Sequence, residues 1–384
     1  MPTKYSFPTA FSDWSFQEKA AIDRVVASGN YTMGAEVEGF EGEFAASHGM
    51  KHAIMVNSGS SANLLAVAAL FHVKRNPLKR GDKAIVPAMA WATTYAPLVQ
   101  HGLGLLVADC DETWNAAAPW GALDFLEGWE DARLVVGCSI LGNPMHHEFW
   151  GQLAKANGAM FLEDNCESIG ASVDGKLCGT FGLMNTFSFF YSHQLSAIEG
   201  GMILTDDDEC AILCRMLRDH GMTRSLGKID KFEDEYNFRY FGYNLRPLEM
   251  HAAVARVQLA RLSRFIEARN KNRDYFIQRC EHVGIPIRFQ KKNGTIQSPF
   301  GIAFSCENAE KRGRLVDAFR ARGIDCRLPC GGSFTQHHYG EPWASQKTPV
   351  ADRIHQTAMF IGCPPHNGSM WWYERAIEIM RDVL

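Results

Sequence analysis

The chain has 384 residues, 46% of them hydrophobic and 21% charged, which is enough to build a substantial core divided between two domains and excludes a disordered or fibrous protein. Thirty-nine basic against forty-three acidic residues leave a net charge of −4, and no segment concentrates Lys or Arg. The expected partner is therefore a small neutral-to-anionic ligand, with no nucleic acid and no membrane. Met1–Trp14 does not read as a signal peptide and no apolar run approaches the roughly 18 residues of a membrane span, so the expected location is cytoplasmic. Eleven scattered cysteines read as reduced thiols, not as a disulfide framework.

Short apolar runs predict buried strands at Ala53–Val56, Lys83–Val86, Leu103–Ala108, Leu134–Cys138, Met160–Glu163, Thr186–Phe190 and Met202–Leu204. Between them, Ser61–Val73 is rich in Ala and Leu, and Glu148–Asn157 carries Phe149, Leu153 and Ala156 at helical spacing. Alternation of strand and helix predicts an α/β layered domain. From Arg246 the pattern changes, because Ala255, Leu259, Leu262 and Ile266 fall on one helical face. This spacing predicts one long helix over about residues 248–280, linking a domain of residues 1–255 to a smaller one of residues 256–384. In the latter, Ile285–Phe289, Gly301–Ser305 and Ile324–Arg327 read as strands, and Ala309–Arg322 and Glu374–Val383 as helices.

Three segments carry chemistry. Asn57–Asn63 follows a strand and opens a helix with Gly59, Ser60 and Ser61, which offers backbone N–H groups to an anion at the positive helix end; an ordinary Ser N-cap has the same appearance. Phe161–Ser168 puts Asp164 and Glu167 where an apolar strand ends, the place where open α/β sheets bind ligands, although a strand-end Asp also caps loops. Phe187–Gly201 sets His193 between an aromatic strand and a Gly-Gly turn, where an imidazole near pKa 6.5 could shuttle protons or be merely structural.

The order and spacing of these segments resemble the sugar-nucleotide aminotransferase and dehydratase family that uses pyridoxal phosphate, over about Tyr31 to Arg327. Pro87–Trp91 and Gly242–Met250 add to the likeness. The resemblance implies an aspartate-aminotransferase-like (fold type I) large domain with a mixed seven-stranded sheet, plus a smaller C-terminal α+β domain. It implies that Gly59, Ser60, Ser61 and Ser188 hold the cofactor phosphate, that Asp164 pairs with the pyridine nitrogen, and that Trp91 stacks on the ring with Glu167 nearby. It further implies that Asn244 reaches the neighbouring subunit's phosphate in a homodimer with shared active sites. By the same mapping His220, Arg224 and Arg327 face the substrate, and Arg327 meets a glutamate carboxylate or a diphosphate.

The departure is at the Schiff-base lysine, where this chain has His193. The same exchange marks a dehydratase branch of the family, in which pyridoxamine phosphate condenses with a nucleotide-linked 4-keto-6-deoxy sugar and the C3 hydroxyl is eliminated, with L-glutamate restoring the amine. His193 then serves as acid and base. Two other readings stay open: another pyridoxamine-dependent reaction or an amino transfer on a different nucleotide sugar, and a non-catalytic sugar-nucleotide binder. Retention of Asp164, Ser188 and Trp91 argues against the last. The adjacent pairs His146-His147 and His337-His338 point to different faces, and Cys210/Cys214 and Cys326/Cys330 fit no ferredoxin spacing, so no metal is expected.

Overall fold

The computed structural model describes residues 5–118, 126–226 and 231–384. Its first sheet takes β1 (His52–Val56), β2 (Lys83–Pro87), β3 (Gly104–Ala108), β4 (Ala132–Cys138) and β5 (Met160–Asp164); a small hairpin, β6 (Ser172–Val173) and β7 (Lys176–Leu177), follows, and β8 (Met184–Ser188) and β9 (Gly201–Thr205) complete it. The seven strands lie in the order β1-β9-β8-β5-β4-β2-β3, and β9 runs antiparallel to both its neighbours in an otherwise parallel sheet. The mixed seven-stranded sheet is thus as expected, and every strand expected from the apolar runs is present.

Period-two alternation sends the residues of one strand to opposite layers. In β1, Ile54 and Val56 join the core under α3 (Gly59–Leu70), with Leu65 and Ala66, while Ala53 and Met55 join the opposite one with Phe40 and Phe44 of α2 (Ala35–His48). Helices on both faces explain why β8 and β9 are buried along their whole length. α1 (Phe16–Ser28), α4 (Ala92–Gln100), α5 (His147–Ala156) and α6 (Asp208–Arg218) complete this part.

The expected single helix over 248–280 is two, α7 (Glu249–Leu259) and α8 (Leu262–His282). Ala260 and Arg261 form a turn between them, with Arg261 at φ −108°, ψ −3°. Its guanidinium is drawn to Glu18 (2.7 Å) and Asp13 (2.9 Å). The periodicity runs through the break because Ala255, Leu259, Leu262 and Ile266 all pack on the same core. Beyond it β10 (Arg288–Phe289), β11 (Gly301–Ser305), β12 (Cys326–Arg327) and β13 (Ala358–Gly362) form an antiparallel sheet in the order β10-β11-β13-β12, with α9 (Ala309–Ala321), α10 (Pro349–Thr357) and α11 (Met370–Val383) around it. The N-terminal arm crosses to this second core: Phe7 N–H donates to Gly323 (2.9 Å), its carbonyl accepts from Asp325 (2.8 Å), and its ring packs against Trp372 and Tyr373.

Candidate active site

The carboxyl ends of β5 and β8 and the amino end of α3 converge on a cavity of about 500 Å³. Gly59, Ser60, Trp91, Asp164, Glu167, Ser188, His193 and Arg327 all line it. Among the described residues no lysine lines it, and apart from the histidine Arg327 is the one basic side chain that does.

At α3 the Ser-rich segment is an N-cap. Ser58 is the N-cap, its Oγ accepting from the Ser61 N–H (3.1 Å), so Ser61 is spent on the cap and does not line the cavity. Gly59 and Ser60 remain at the positive helix end, facing the cavity. Only glycine fits at 59, since a Cβ there would lie 2.4 Å from Ser188 Cβ and 3.0 Å from Cys166 Sγ. That contact docks the helix end on the end of β8, with Ser60 and Ser188 both lining the cavity.

Asp164 closes β5 and is buried. Its Oδ2 accepts from Asn63 Nδ2 (2.8 Å) and Thr94 Oγ1 (2.8 Å), and its Oδ1 from the Cys166 N–H (3.1 Å). Thr186 Oγ1 donates in turn to Asn63 Oδ1 (2.6 Å), which fixes the amide's orientation. An ionised carboxylate offers about four lone-pair sites, so one is left for a cationic partner in the cavity. Sequence reasoning did not assign Asn63, Thr94 or Thr186. The signal was present, because Asn63 is a polar interruption in an Ala/Leu-rich helix and such a residue is buried only when bonded.

His193 follows β8 in a turn closed by its N–H on Phe190 (2.9 Å). Its Nδ1 lies 3.3 Å from the Ser188 carbonyl. A carbonyl only accepts, so Nδ1 carries the proton and Nε2 keeps its lone pair. Phe190 and Phe300 stand edge-on to the ring at 6.0 and 5.2 Å between centroids. Burial pushes the imidazole's pKa down to about 4; the Arg269 charge acts in the same direction, and the Ser188 carbonyl and Asp164 act against it. The expectation of a pKa near 6.5 is corrected accordingly: the ring is neutral at neutral pH. Glu167 Oε2 accepts from the Leu141 N–H (2.8 Å) and from Cys330 Sγ (3.1 Å), and burial pushes its pKa up. Trp91, the residue before α4, is 59% exposed over the opening. Arg327 Nε reaches Asp325 (3.2 Å), which also holds Thr9 (2.8 Å).

Asn244, His220 and Arg224 do not line this cavity. They gather around Asp219, which meets Arg246 at 3.2 Å, Arg224 at 3.6 Å and His220 at 3.9 Å, and Asn244 Oδ1 accepts from Arg246 Nε (3.1 Å). Beside them Phe232, Tyr236, Phe238 and Phe241 expose their rings. Elsewhere His146 turns out to Asp111 (2.7 Å) and His147 inward to Glu163 (3.2 Å), as adjacent residues on different faces should.

The chain and its fold match known proteins. The model of the DegT/DnrJ/EryC1/StrS aminotransferase family covers residues 14–369, and the chain belongs to that family. GDP-4-keto-6-deoxy-D-mannose 3-dehydratase from Escherichia coli is 38% identical over 397 residues, covering 99% of each chain. A solved structure of the E. coli dehydratase with bound hydrated PLP superposes with a TM-score of 0.90 at 35% identity, over 98% of this chain and 99% of that one. Another GDP-4-keto-6-deoxymannose-3-dehydratase structure, holding a trapped PLP-glutamate geminal diamine, gives 0.88 at 33% identity over 99% and 100%.

Proposed function

We propose that this chain is a pyridoxal-phosphate-dependent nucleotide-sugar 3-dehydratase, a lyase that removes the C3 hydroxyl of GDP-4-keto-6-deoxymannose in the biosynthesis of deoxysugars of lipopolysaccharide. The observation that carries the reading is His193, whose imidazole shares with Asp164 and Ser188 a cavity that no lysine lines among the described residues. The cavity suits the cofactor: Gly59, Ser60 and Ser188 form an anion cradle, and Asp164 keeps one acceptor site free. When bound, the cofactor supplies an electron sink and, in its amine form, the nitrogen that condenses with the 4-keto group.

The protein's own part follows from the geometry. Asp164, held in place by three donors, would pair with the ring nitrogen of the bound cofactor, and Trp91 would cover its ring. Nε2 of His193 takes a proton as a neutral base. Once charged in a site that resists charge, the imidazole passes that proton readily to the departing C3 hydroxyl. Arg327 receives the glutamate carboxylate or the substrate diphosphate, and Glu167 supports the ring beside Asp164. Asn244, with His220 and Arg224, serves the active site of the other subunit in a homodimer, and the exposed aromatics beside them are covered there. Among the described residues no helix is long and apolar enough to cross a membrane, and we place the reaction in the cytoplasm.

The test combines pyridoxamine phosphate, glutamate and 4-keto-6-deoxy sugars linked to GDP, CDP or dTDP. Formation of the 3-deoxy ketone from the GDP sugar is expected. A 4-amino sugar as the product would make the chain an aminotransferase instead, and turnover of another nucleotide alone would move the substrate. Borohydride reduction followed by peptide mass analysis is expected to leave every lysine unmodified.

A further inference from the structure

Arg269 lies within α8 and is 1% exposed. Its Nη1 donates to three main-chain carbonyls, those of Cys363 (2.5 Å), Phe300 (3.1 Å) and Pro299 (3.3 Å), while Nε and Nη2 find no partner. A guanidinium stays protonated at any pH a folded protein meets. This is therefore a buried cation held only by neutral oxygens, an arrangement that costs stability and that an uncharged donor would avoid.

The carbonyls belong to the turn entering β11 and to the end of β13, so the arginine ties α8 to the second sheet at the edge of the cavity. That turn carries Phe300, whose ring stands at 86° to the His193 imidazole, 5.2 Å between centroids. It is also held by Gln194, the residue after His193, whose Nε2 donates to Ser298 (2.6 Å) and Glu167 (2.6 Å). Ring wall and chain neighbour thus hang on one turn, and Arg269 clamps it.

We propose that Arg269 is a positioning residue for His193, fixing the Phe300 wall against the imidazole and setting an unpaired positive charge behind it. The inference rests on the reading of His193 as the acid/base. A proton taken up by the imidazole then meets a cation it cannot escape, which favours handing it on to the leaving hydroxyl. Of the other groups around the ring, Asp164 pulls the opposite way, the Ser188 and Cys166 main chains favour the proton, and Glu167, Glu199 and Arg327 line the same cavity. Arg269 and burial act together against it.

The experiment follows the His193 ring resonances by NMR in histidine-labelled holoenzyme, beside the pH dependence of elimination, in wild type, Arg269→Gln and Arg269→Lys. Glutamine keeps a donor for the carbonyls and drops the charge. It should raise the His193 pKa by about one unit, tenfold in acid constant, and carry the acid limb of the kcat profile up in pH with it, with KM little changed. Lysine should restore both to within about threefold. An unmoved His193 titration in Arg269→Gln overturns the proposal whatever the activity, as does a lysine variant no better than the glutamine one. A shifted titration with an unmoved kcat profile would leave Arg269 its place and remove His193 from catalysis. Should Arg269→Gln fail to fold, Phe300→Leu must raise the His193 pKa by opening the wall to water, and no rise there also overturns the proposal.

Discussion

Replacing Asp164 by Asn changes one atom and no volume, and the hydrogen bonds around it determine the result. Oδ2 receives the Asn63 amide and the Thr94 hydroxyl, each at 2.8 Å, and Oδ1 receives the Cys166 N–H at 3.1 Å. If the new amide oxygen takes the Oδ2 position, its NH₂ faces the Cys166 N–H. If it takes the other, its NH₂ faces the Asn63 amide, which cannot turn because Thr186 holds its oxygen at 2.6 Å. Either way a buried N–H is left without an acceptor, at about 1–3 kcal/mol. Weakening of the surviving charge-assisted bonds adds to this, since bonds to a charged group are roughly twice as strong as neutral ones. The cofactor-free variant should therefore unfold at lower urea, by about 2–3 kcal/mol at unchanged m. Exchanging the pair, with Asn63→Asp added to Asp164→Asn, gives every donor an acceptor again, because the amide now on the strand end donates to the carboxylate now on the helix and the Thr94 hydroxyl can rotate to accept. The double variant should recover stability and remain inactive, since the charge has left the strand end. Single-variant stability equal to wild type would refute the network argument; dehydration by the double variant would refute the need for a charge at 164.

Three further expectations follow from the same geometry. Gly59→Ala drives a Cβ to 2.4 Å from Ser188 Cβ, so the helix end must move off the strand end and cofactor affinity should fall at least about tenfold, roughly the 1.4 kcal/mol of one misplaced contact; an unchanged spectroscopic titration with pyridoxal phosphate would contradict it. His193→Lys should capture the cofactor covalently, seen as a pyridoxyl-lysine after borohydride, and cut dehydration by about 10²–10⁴; a rate within about threefold of wild type would show that His193 is not the catalyst. The third concerns acid. His193 has a folded pKa of about 4 against 6.5 unfolded, so the unfolded chain binds more protons between those values and stability falls as pH drops through that window, by up to about 3 kcal/mol. His193→Asn removes this loss, and denaturation profiles that stay parallel from pH 7 to pH 4 would exclude it. His48, also pushed by burial down to about 4, keeps its share of the acid sensitivity in both proteins.

The strands were legible because each is a short apolar run bounded by turn residues, and the strand-end position of Asp164 followed from where β5 stops. The break at Arg261 was not legible, because the apolar face continues across it and the cause is a contact with Asp13 and Glu18, some 240 residues earlier in the chain. The donors to Asp164 were equally hidden. Asn63, Thr94 and Thr186 come from three elements, and only the folded sheet brings them to one carboxylate. His193 was found as a departure from a motif, yet its lowered pKa depends on Phe300 and Arg269, which arrive from the second part of the chain. Asn244, His220 and Arg224 matched a motif and do not line the cavity of their own chain, and for them sequence order says nothing about which subunit they serve.

The exchange of lysine for histidine changes what the surroundings must provide. A lysine in this place is useful once it is tethered to the cofactor, so its free-state ionisation is secondary. A histidine is never tethered, and in the acid–base role proposed for His193 it has to start each turnover neutral, become charged, and become neutral again. The cavity meets that need with opposite treatments of two neighbours. Asp164 is given three donors, from Asn63, Thr94 and the Cys166 main chain. His193 is given the Ser188 and Cys166 main chains, two aromatic edges and no carboxylate bonded to its ring, and burial outweighs them. The ionisation of His193 is written in the packing of the second sheet as much as in the motif, so a sequence with the same histidine but without Phe300 and Arg269 behind it should hold that histidine charged at a higher pH.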